Sequence, residues 1–253
     1  MTPANELIRL VRELRGRVEI RSEEEWFVGS AQLPASPPAG APRTSGAPAA
    51  LSAASELKKL AKAVEACRAC PLGTQRLHPA FGVGSPDAKV MFIGEGPGFE
   101  EDRQGEPFVG KAGQLLDKIL ASIGLSRKTV YIANIVKCHP MVDPADPERR
   151  GNDRPPTPAE MEACRGFLDQ QIRLIRPKWI VALGGVAAKT LIGTETGITR
   201  LRGKWHTYEP LDIPLLPTYH PAALLRNPDW KRDVWTDMKN LKNALERDDE
   251  ANA

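Results

Sequence analysis

The sequence predicts an α/β fold with a central, mostly parallel, four-stranded sheet that is flanked by helices. Four short apolar runs, rich in β-branched and aliphatic residues, alternate along the chain with stretches of helical periodicity. Such alternation is typical of parallel strands that are covered on both faces. The four predicted strands lie at residues 88–95, 129–137, 178–185 and 212–220.

Helical periodicity appears between each pair of predicted strands and again after the last one. Thr157 followed by Glu160 matches a capping box, and it predicts that the second of these helices begins after the turn at Arg154 and two prolines. The helix-like stretches cover residues 112–124, 157–176, 185–193 and 230–247.

Polar or small residues stand at the carboxyl ends of all four predicted strands. They are Glu95, Asn134, the pair Gly184 and Gly185, and His220. In open parallel sheets, ligands bind beyond the carboxyl ends of the strands. The sequence therefore predicts a single ligand-binding crevice that these residues line.

Composition is that of a soluble globular protein. The 253 residues are 41% hydrophobic and 26% charged, with a net charge of +3. No apolar run approaches the length of a membrane span, and the N-terminus lacks a signal-peptide core, so we expect a reducing cytoplasm and no membrane partner. The small net charge neither requires nor excludes a nucleic-acid partner.

Three segments are expected along the chain. Residues 1–54 form an N-terminal extension, in which residues 3–15 have the spacing of a short amphipathic helix and residues 31–55 a linker rich in Pro, Ala, Ser and Gly. The folded domain spans 55–247, and 248–253 form a polar tail. The extension is equally consistent with a docking site for a protein partner and with a largely disordered solubilising tail.

The stretch that follows the first strand, Gly94–Leu120, does not match a phosphate-binding loop. It lacks the P-loop pattern, Pro97 interrupts its glycines, and we expect no helix directly after Gly98. Its acidic residues would repel a phosphate, and Glu100 and Asp102 are expected to be solvated. A neutral ligand would be tolerated, and Phe108 offers it an aromatic face, although core packing is the commoner role of such a residue.

The four cysteines are Cys67, Cys70, Cys138 and Cys164. A C-x2-C pair with two distant single cysteines, in a reducing compartment, is typical of a four-thiolate site. The spacing is compatible with zinc and with a [4Fe–4S] cluster, and it does not distinguish them. The alternative is a set of buried, unligated thiols.

The segment 218–228, "TYHPAALLRNP", places His220 at the crevice, followed by an apolar pair and a cation. A lone histidine is more often structural than catalytic. An exposed Leu-Leu-Arg loop, however, can wedge into a base stack while the guanidinium binds phosphate. Asn134 also has two interpretations, since strand-end asparagines often cap turns but a carboxamide can read the edge of a base.

Together, "GEGPGFEEDRQGEPFVGKAGQLLD", "NIVKC", the C-x2-C pair and "HPAALLR" closely resemble the iron–sulfur-containing, family 4 uracil-DNA glycosylases. The resemblance covers about residues 60–243. It implies the three-layer fold of uracil-DNA glycosylases and a monofunctional DNA N-glycosylase that starts base-excision repair on single- and double-stranded DNA. It also implies a monomer in the bacterial cytoplasm or nucleoid.

The resemblance implies a role for each matching residue in base recognition. Phe108 would stack on a flipped uracil, and Asn134 would hydrogen-bond its edge. Glu101 would lie near C5 and help to exclude the thymine methyl. His220 would stabilise the negative charge that develops on uracil O2. The glycine turn, with Gly94 and Gly96, would line the pocket beside Glu95, whose part in catalysis is less defined.

The resemblance further implies roles outside the base pocket. Leu224 or Leu225 would fill the gap left by the flipped base, and Arg226 would hold the DNA backbone. The four cysteines would ligate a structural [4Fe–4S] cluster, with zinc the weaker alternative.

One departure from compact family members is the long segment between Cys138 and Cys164. It is expected to lie over the DNA, with Arg149, Arg150 and Arg154 as candidate phosphate contacts. A sister branch becomes covalently trapped on DNA through a histidine in an arginine-rich insert of this region. The insert here has no such histidine and Cys138 is retained, so turnover is expected. Two alternatives stay open, namely that self-crosslinking sister and a non-catalytic, zinc-stabilised nucleic-acid binding module.

Overall fold

A computed structural model of the protein describes residues 47–252, and these fold around a mixed six-stranded sheet. The strand order is β1-β3-β2-β4-β6-β5. Strands β2, β3, β4 and β6 run parallel, and β1 and β5 pair antiparallel at the two edges. The strands are β1 (Val83–Gly84), β2 (Val90–Gly94), β3 (Tyr131–Asn134), β4 (Trp179–Leu183), β5 (His206–Tyr208) and β6 (Ile213–Thr218).

All four predicted strands are thus present as the parallel centre of the sheet, and the predicted class of fold is confirmed. The predicted number of strands was too small, because the two edge strands are only two and three residues long and leave no apolar run to detect. The helices are α1 (Ala47–Ala66), α2 (Leu72–Gln75), α3 (Phe99–Gln104), α4 (Lys111–Ser122), α5 (Pro158–Ile175), α6 (Gly185–Ile192), α7 (Ile198–Leu201), α8 (Pro221–Arg226) and α9 (Lys231–Ala251).

The central strands are buried on both faces, which explains their continuous apolar sequence. In β2, Met91 and Ile93 point into one core, whereas Val90 and Phe92 point into the other. Helices α5 and α6 contribute to the first core, and α4, α8 and α9 to the second. The molecule therefore has three layers, helices on either side of one sheet.

Local signals explain where two of the helices begin. The Thr157 hydroxyl accepts a hydrogen bond from the Glu160 amide, and Glu160 accepts one from the Thr157 amide, so the predicted capping box is present. The expectation that no helix follows Gly98 was wrong, because α3 begins at Phe99. Glu101 makes this short helix possible by accepting a hydrogen bond from the Gly98 amide.

The ends of the folded domain differ from those expected. Helix α1 begins at Ala47, within the expected linker, and passes through Ser55 without a break. Helix α9 runs on to Ala251 through the expected polar tail, where Asp248 forms ion pairs with Lys89 and Lys178. The predicted helix at 3–15 and most of the linker lie outside the described residues. Within residues 47–252, no helix is long and apolar enough to span a membrane.

Candidate active site

A crevice of about 1120 Å³ lies at the carboxyl ends of the parallel strands. Glu95, Asn134, Gly184, Gly185 and His220 all line it, so the residues predicted to share one edge do meet there. The pairing of β2 with β3 aligns Gly94 directly with Asn134. The crevice follows from the parallel topology, which brings four strand ends to one place.

Phe108, Asn134 and His220 line one part of this crevice, which we call the slot. Gly94 packs directly against both Phe108 and Asn134. A Cβ atom on Gly94 would collide with Asn134 Oδ1 and would lie 2.6 Å from Phe108 Cζ. Only glycine therefore leaves the aromatic ring and the carboxamide both in place. The Phe108 ring lies 5.5 Å from the His220 ring, centroid to centroid, with an angle of 30° between the planes. This slot suits a planar ligand held between an aromatic face and polar edges.

Phe108 adopts a left-handed backbone conformation, with φ of 57°. A bulky residue in this region is strained, so other contacts must hold it there. The Arg127 guanidinium donates hydrogen bonds to the carbonyl oxygens of Pro107 and Phe108, and it pairs with Glu106 and Asp117. Arg127 thus clamps the turn that aims the Phe108 ring into the slot.

The Asn134 side chain is buried, and neither Oδ1 nor Nδ2 has a hydrogen-bond partner. Burying an amide without partners costs about 1–3 kcal/mol. Such a group in a native protein calls for an explanation, and a ligand with a donor and an acceptor on one edge would supply both missing bonds. The alternative role as a turn cap is excluded, since a cap would be bonded to the backbone.

The backbone of Asn134, by contrast, is firmly held. The buried Lys137 ammonium donates to the Asn134 carbonyl at 2.7 Å and to Gln171 Oε1 at 2.6 Å. Gln171 Nε2 in turn donates to the Tyr131 hydroxyl and to the Phe81 carbonyl. Burial lowers the pKa of Lys137 to about 8. This network fixes where the carboxamide stands while it leaves the carboxamide itself free.

His220 caps helix α8, and this contact selects its tautomer. Nδ1 accepts a hydrogen bond from the Ala222 amide at 3.1 Å, so the proton of the neutral ring resides on Nε2. Burial, and secondarily the nearby Arg226, lowers the pKa of His220 from its ordinary 6.5 to about 4. At neutral pH the ring is therefore an uncharged donor at the crevice.

The acidic turn proves to be largely structural. Glu101 accepts hydrogen bonds from the amides of Gly98, Val109 and Gly110, so its carboxylate ties the two sides of the turn together. The expectation that Asp102 is solvated was wrong. Its side chain is buried and accepts from the Leu77 amide, and burial raises its pKa.

Two further residues of this turn face the crevice. Glu95 is half-buried there, and burial raises its pKa. Gly96 lies beside it, where a Cβ atom would approach Val136 Cγ2 to 2.8 Å. A larger residue such as aspartate would therefore not fit at position 96 without rearrangement. Glu95 is one of the carboxylates of this turn that line the crevice, with Glu100 and Glu101.

The two leucines of the α8 loop differ in position. Leu224 is 1% exposed and packs in the core, whereas Leu225 is 48% exposed. Arg226 is exposed and lines the crevice. Of the two candidate wedges, only Leu225 has an accessible side chain, and Leu224 anchors the loop instead.

The long segment after Cys138 is ordered by its own polar contacts. Asn152 makes hydrogen bonds with the backbone of Asp143 and Asp146, and Met141 pairs with Asp153. Arg154 binds Glu160 through two nitrogens and is therefore not free for phosphate, contrary to expectation.

The other two arginines of the segment, Arg149 and Arg150, are exposed, and Arg150 lies over the Phe99 ring. The segment does contain one histidine, His139, directly after Cys138. Its ring is buried, and Nε2 lies 2.7 Å from Asp153 Oδ1. It is not among the residues that line the crevice.

The four cysteines are free thiols in the α1–α2 loop, after β3 and in helix α5, and they are near enough to influence one another electrostatically. Cys138 and Cys164 are buried, and Cys67 and Cys70 are half-buried. Arg76 donates to Cys138 Sγ at 2.8 Å. Burial raises the pKa of the Cys138 thiol to about 11, and the charge of Arg76 opposes this. Among the described residues, no three His, Cys, Asp or Glu side chains are arranged to hold a single metal ion.

The three-layer fold, with a crevice at the strand ends, is that of a known class of DNA-repair protein. A model of the uracil DNA glycosylase superfamily matches residues 81–239, and the chain belongs to that superfamily. Within it, the chain belongs to the type-4 uracil-DNA glycosylases. The type-4 enzyme of Thermotoga maritima is 41% identical over 192 residues, 73% of this chain and 92% of the relative.

A second type-4 uracil-DNA glycosylase, from Archaeoglobus fulgidus, is 40% identical over 191 residues, 73% of this chain and 91% of the relative. A type-5 uracil-DNA glycosylase of Thermus thermophilus is more distant, at 29% identity over 190 residues, 61% of this chain and 82% of the relative. The family that the sequence motifs indicated is thereby confirmed.

The sequence did not reveal the residues that hold Phe108 and Asn134 in position, Arg127 and Lys137. Arg127 lies in a polar loop, where nothing in the sequence signals that its side chain binds the turn at Phe108. Trp230, which also lines the crevice, was assigned only to a helix. Lys137 carried the single available signal. It stands in an apolar sequence at the end of a strand, and a lysine in such a place is almost never buried without a partner.

Proposed function

We propose that the protein removes uracil from DNA by hydrolysing the N-glycosidic bond, leaving an abasic site that starts base-excision repair. The observation that carries this proposal is the unpartnered Asn134 carboxamide beside Phe108 in the slot. A uracil that has been flipped out of the DNA offers a planar face for Phe108 and a donor–acceptor edge for the amide.

Discrimination against cytosine follows from the same amide. Uracil presents an acceptor at O4 beside the N3–H donor, which complements the Nδ2 donor and Oδ1 acceptor of Asn134. Cytosine carries an amino group and a bare N3 at these positions, so both hydrogen bonds would be lost. A site left with unpaired polar groups rejects the wrong ligand strongly. The Lys137 contact to the Asn134 carbonyl keeps the amide in register for this test.

His220 stabilises the departing base. As the bond from uracil N1 to C1′ of the deoxyribose lengthens, negative charge accumulates on the base, including O2, and positive charge on the sugar. The neutral His220 ring, with its proton on Nε2, donates a hydrogen bond to O2. A donor fixed in advance toward developing charge is commonly the largest catalytic contribution.

The sugar cation is captured by water, whose oxygen forms the new bond to C1′ while the proton is lost to solvent or to the departing base. Glu95 lies on the crevice wall that would face the sugar, and its carboxylate favours positive charge there. Glu101 acts indirectly, since its bonds to three amides fix the wall that excludes the thymine methyl.

Both single- and double-stranded DNA are proposed substrates, with release of the product. Leu225 is free to fill the gap that a flipped base leaves in a duplex, and Arg226 is free to bind phosphate. His139 is buried against Asp153, which supports turnover over covalent trapping.

The thiol set fits an iron–sulfur cluster. Cys67, Cys70, Cys138 and Cys164 would hold it, and Arg76 supplies a positive charge beside the Cys138 sulfur. In a four-iron cluster each of four thiolates binds a different iron, and the chain supplies four cysteines. The cluster, when bound, would cross-link helix α5, the end of β3 and the α1–α2 loop, and it would take no part in the reaction.

The activity is tested with an end-labelled single-stranded oligonucleotide that contains one uracil, incubated with anaerobically purified protein. Half of the product is treated with alkali and half is run directly on a denaturing gel. Strand cleavage only after alkali is expected. A slowly migrating band that survives denaturation would instead identify a trapping enzyme, and no change in either lane would revive a binding module without catalysis.

The cluster is tested by absorbance and by iron, sulfide and zinc analysis of the same protein. A visible absorption band with about four iron and four sulfide per chain is expected. Cys67→Ala should lose pigment and solubility together. One zinc per chain without pigment would overturn the assignment, and a pigmented Cys67→Ala protein would remove that residue from the ligand set.

A further inference from the structure

An exposed tryptophan forms an aromatic pair on the rim of the crevice. The Trp230 ring stacks on the Tyr219 ring with centroids 4.5 Å apart and planes 15° from parallel. Tyr219 is 6% exposed, whereas Trp230 is 37% exposed. Trp230 thus rests on a buried ring and presents part of its own surface to solvent, although apolar burial would favour covering it.

The pair is held rigidly. Trp230 ends a 3-10 turn, Pro228–Trp230, whose first residues are capped by the side chain of Asn227. On the inner side, the Arg202 guanidinium lies 5.5 Å from the Tyr219 ring centroid and is fixed by the buried Asp237. A rigid, partly exposed aromatic surface loses little entropy when a ligand stacks on it.

Trp230 belongs to the same crevice as the base slot. Tyr219, His220, Arg226 and Trp230 all line it. Its volume of about 1120 Å³ exceeds the roughly 300–1,000 Å³ of typical single-ligand clefts. The crevice therefore has room for more than the one nucleotide that the slot accepts.

The surroundings of Trp230 suit a phosphodiester chain. Three exposed cations, Arg226, Lys231 and Arg232, lie within four residues of it in sequence. Two carboxylates lie in the same range, Asp229 and Asp233, and the second of them is paired with Arg202. Aromatic surfaces beside cations are the means by which proteins bind single-stranded nucleic acid, since every base has a face that can stack.

We infer that Trp230 is a stacking platform for an unpaired nucleobase that neighbours the flipped nucleotide. The inference rests on the proposed function for the identity of the strand, and it extends that function by a second base-binding position. A base that is still paired within a duplex cannot lie flat on Trp230 without opening its pair. The platform therefore favours single-stranded over double-stranded substrates.

The first test uses a fluorescently labelled, single-stranded oligonucleotide without uracil and measures binding by anisotropy. Trp230→Ala is expected to weaken binding about tenfold, the size of the loss of one base–aromatic stack. Trp230→Phe should retain most of the affinity. Trp235→Ala is the matched control, because Trp235 is 45% exposed on α9 but does not line the crevice. The Trp235→Ala protein should bind the oligonucleotide with the affinity of the unmodified protein.

The second test uses uracil-containing single strands in which each nucleotide beside the uracil is replaced in turn by a base-free analogue. One replacement should raise KM of the unmodified protein about as much as Trp230→Ala does, and the two changes together should do no further harm. Equal affinities for the Trp230→Ala and Trp235→Ala proteins would overturn the platform, as would KM effects that simply multiply. Because the first test contains no uracil, it stands or falls independently of excision.

Discussion

The slot and the exposed end of helix α8, Leu225 and Arg226, which we call the α8 rim, differ in how their side chains are held. In the slot, Arg127 holds the turn that carries Phe108, the Ala222 amide fixes the His220 ring, and Lys137 holds the backbone of Asn134. On the rim, Leu225 and Arg226 project into solvent. Pre-organisation is therefore concentrated where charge and hydrogen bonds must be matched, and the rim is left to gain its contacts from the DNA.

Because of this difference, substitutions in the slot and on the rim should affect different kinetic properties. Changes in the slot should slow excision more than they weaken binding, because they remove interactions that matter in the transition state. Changes on the rim should mainly weaken binding and depend on whether the DNA is single- or double-stranded. Each of the following experiments is aimed at that contrast.

The largest expected effect is that of His220→Ala in the slot. Loss of one oriented donor to developing negative charge should slow excision about 10²–10³-fold, with little change in KM. Single-turnover rates on a uracil-containing single strand measure this directly. His206→Ala is the control, since His206 bonds only to the Leu201 carbonyl and lies outside the crevice. An unchanged single-turnover rate for His220→Ala would refute the proposed role.

Asn134→Ala should slow excision about tenfold to a hundredfold, the value of a well-made pair of hydrogen bonds to a base edge. Its effect on stability should be small, because the amide forms no hydrogen bonds in the free protein and its removal relieves an unpaired buried group. Thermal unfolding of both variants would measure this.

The matched control for that change is Asn152→Ala. Asn152 is also buried, but its amide is fully bonded within the long segment. It should lose stability while it keeps more of the activity. If Asn134→Ala proved the less stable of the two, the carboxamide would be a structural group and the slot would lose its specificity element.

Arg127→Met tests whether the turn that carries Phe108 must be clamped. Release of this strained turn should lower kcat/KM about tenfold through misplacement of the ring. The same substitution in a Phe108→Ala background should have little further effect on kcat/KM, since the ring that it positions is already gone. Full additivity of the two losses in this double-mutant cycle would show that Arg127 acts elsewhere.

The slot was more predictable from the sequence than the rest of the site. The four strands could be located because each is a short apolar run, and parallel topology then required Glu95, Asn134 and His220 to meet. Motif resemblance supplied Phe108. What periodicity did not reveal was the left-handed turn at Phe108, because that conformation depends on Arg127, nineteen residues further along the chain.

Burial was the least predictable property. Asp102 and Lys137 look like surface residues by type, and both are buried because partners from distant segments compensate them. Leu224 and Leu225 are adjacent and chemically identical, yet one is in the core and one in solvent. Only the position of the short helix α8 against the second core decides between them, and no local pattern encodes it.

The same pair of leucines gives a smaller, sharper prediction for the rim. Leu225→Ala should lower affinity for double-stranded substrate about fivefold, equivalent to roughly 1 kcal/mol of lost apolar burial, and should spare single strands. Leu224→Ala should instead destabilise the fold by about 2–5 kcal/mol, as core truncations do. Equal effects of Leu225→Ala on both substrates would remove the wedge from the rim.

The smallest expected effect is the response of the slot to pH. Because the pKa of His220 is lowered to about 4, the ring stays neutral and its rate contribution should vary less than about twofold between roughly pH 6 and pH 8.

The same lowered pKa makes the stability of the fold depend on pH. Because the pKa of His220 in the folded protein lies below the ordinary 6.5, the neutral ring contributes its full stabilisation of the fold above pH 6.5. This stabilisation is lost as the pH falls from 6.5 toward 4. His220→Ala should therefore flatten that part of the stability profile measured by thermal unfolding. A rate profile of the unmodified protein that instead fell by half near pH 6.5 would mean that His220 is solvated, and the contrast between a fixed slot and an open rim would fail at its central residue.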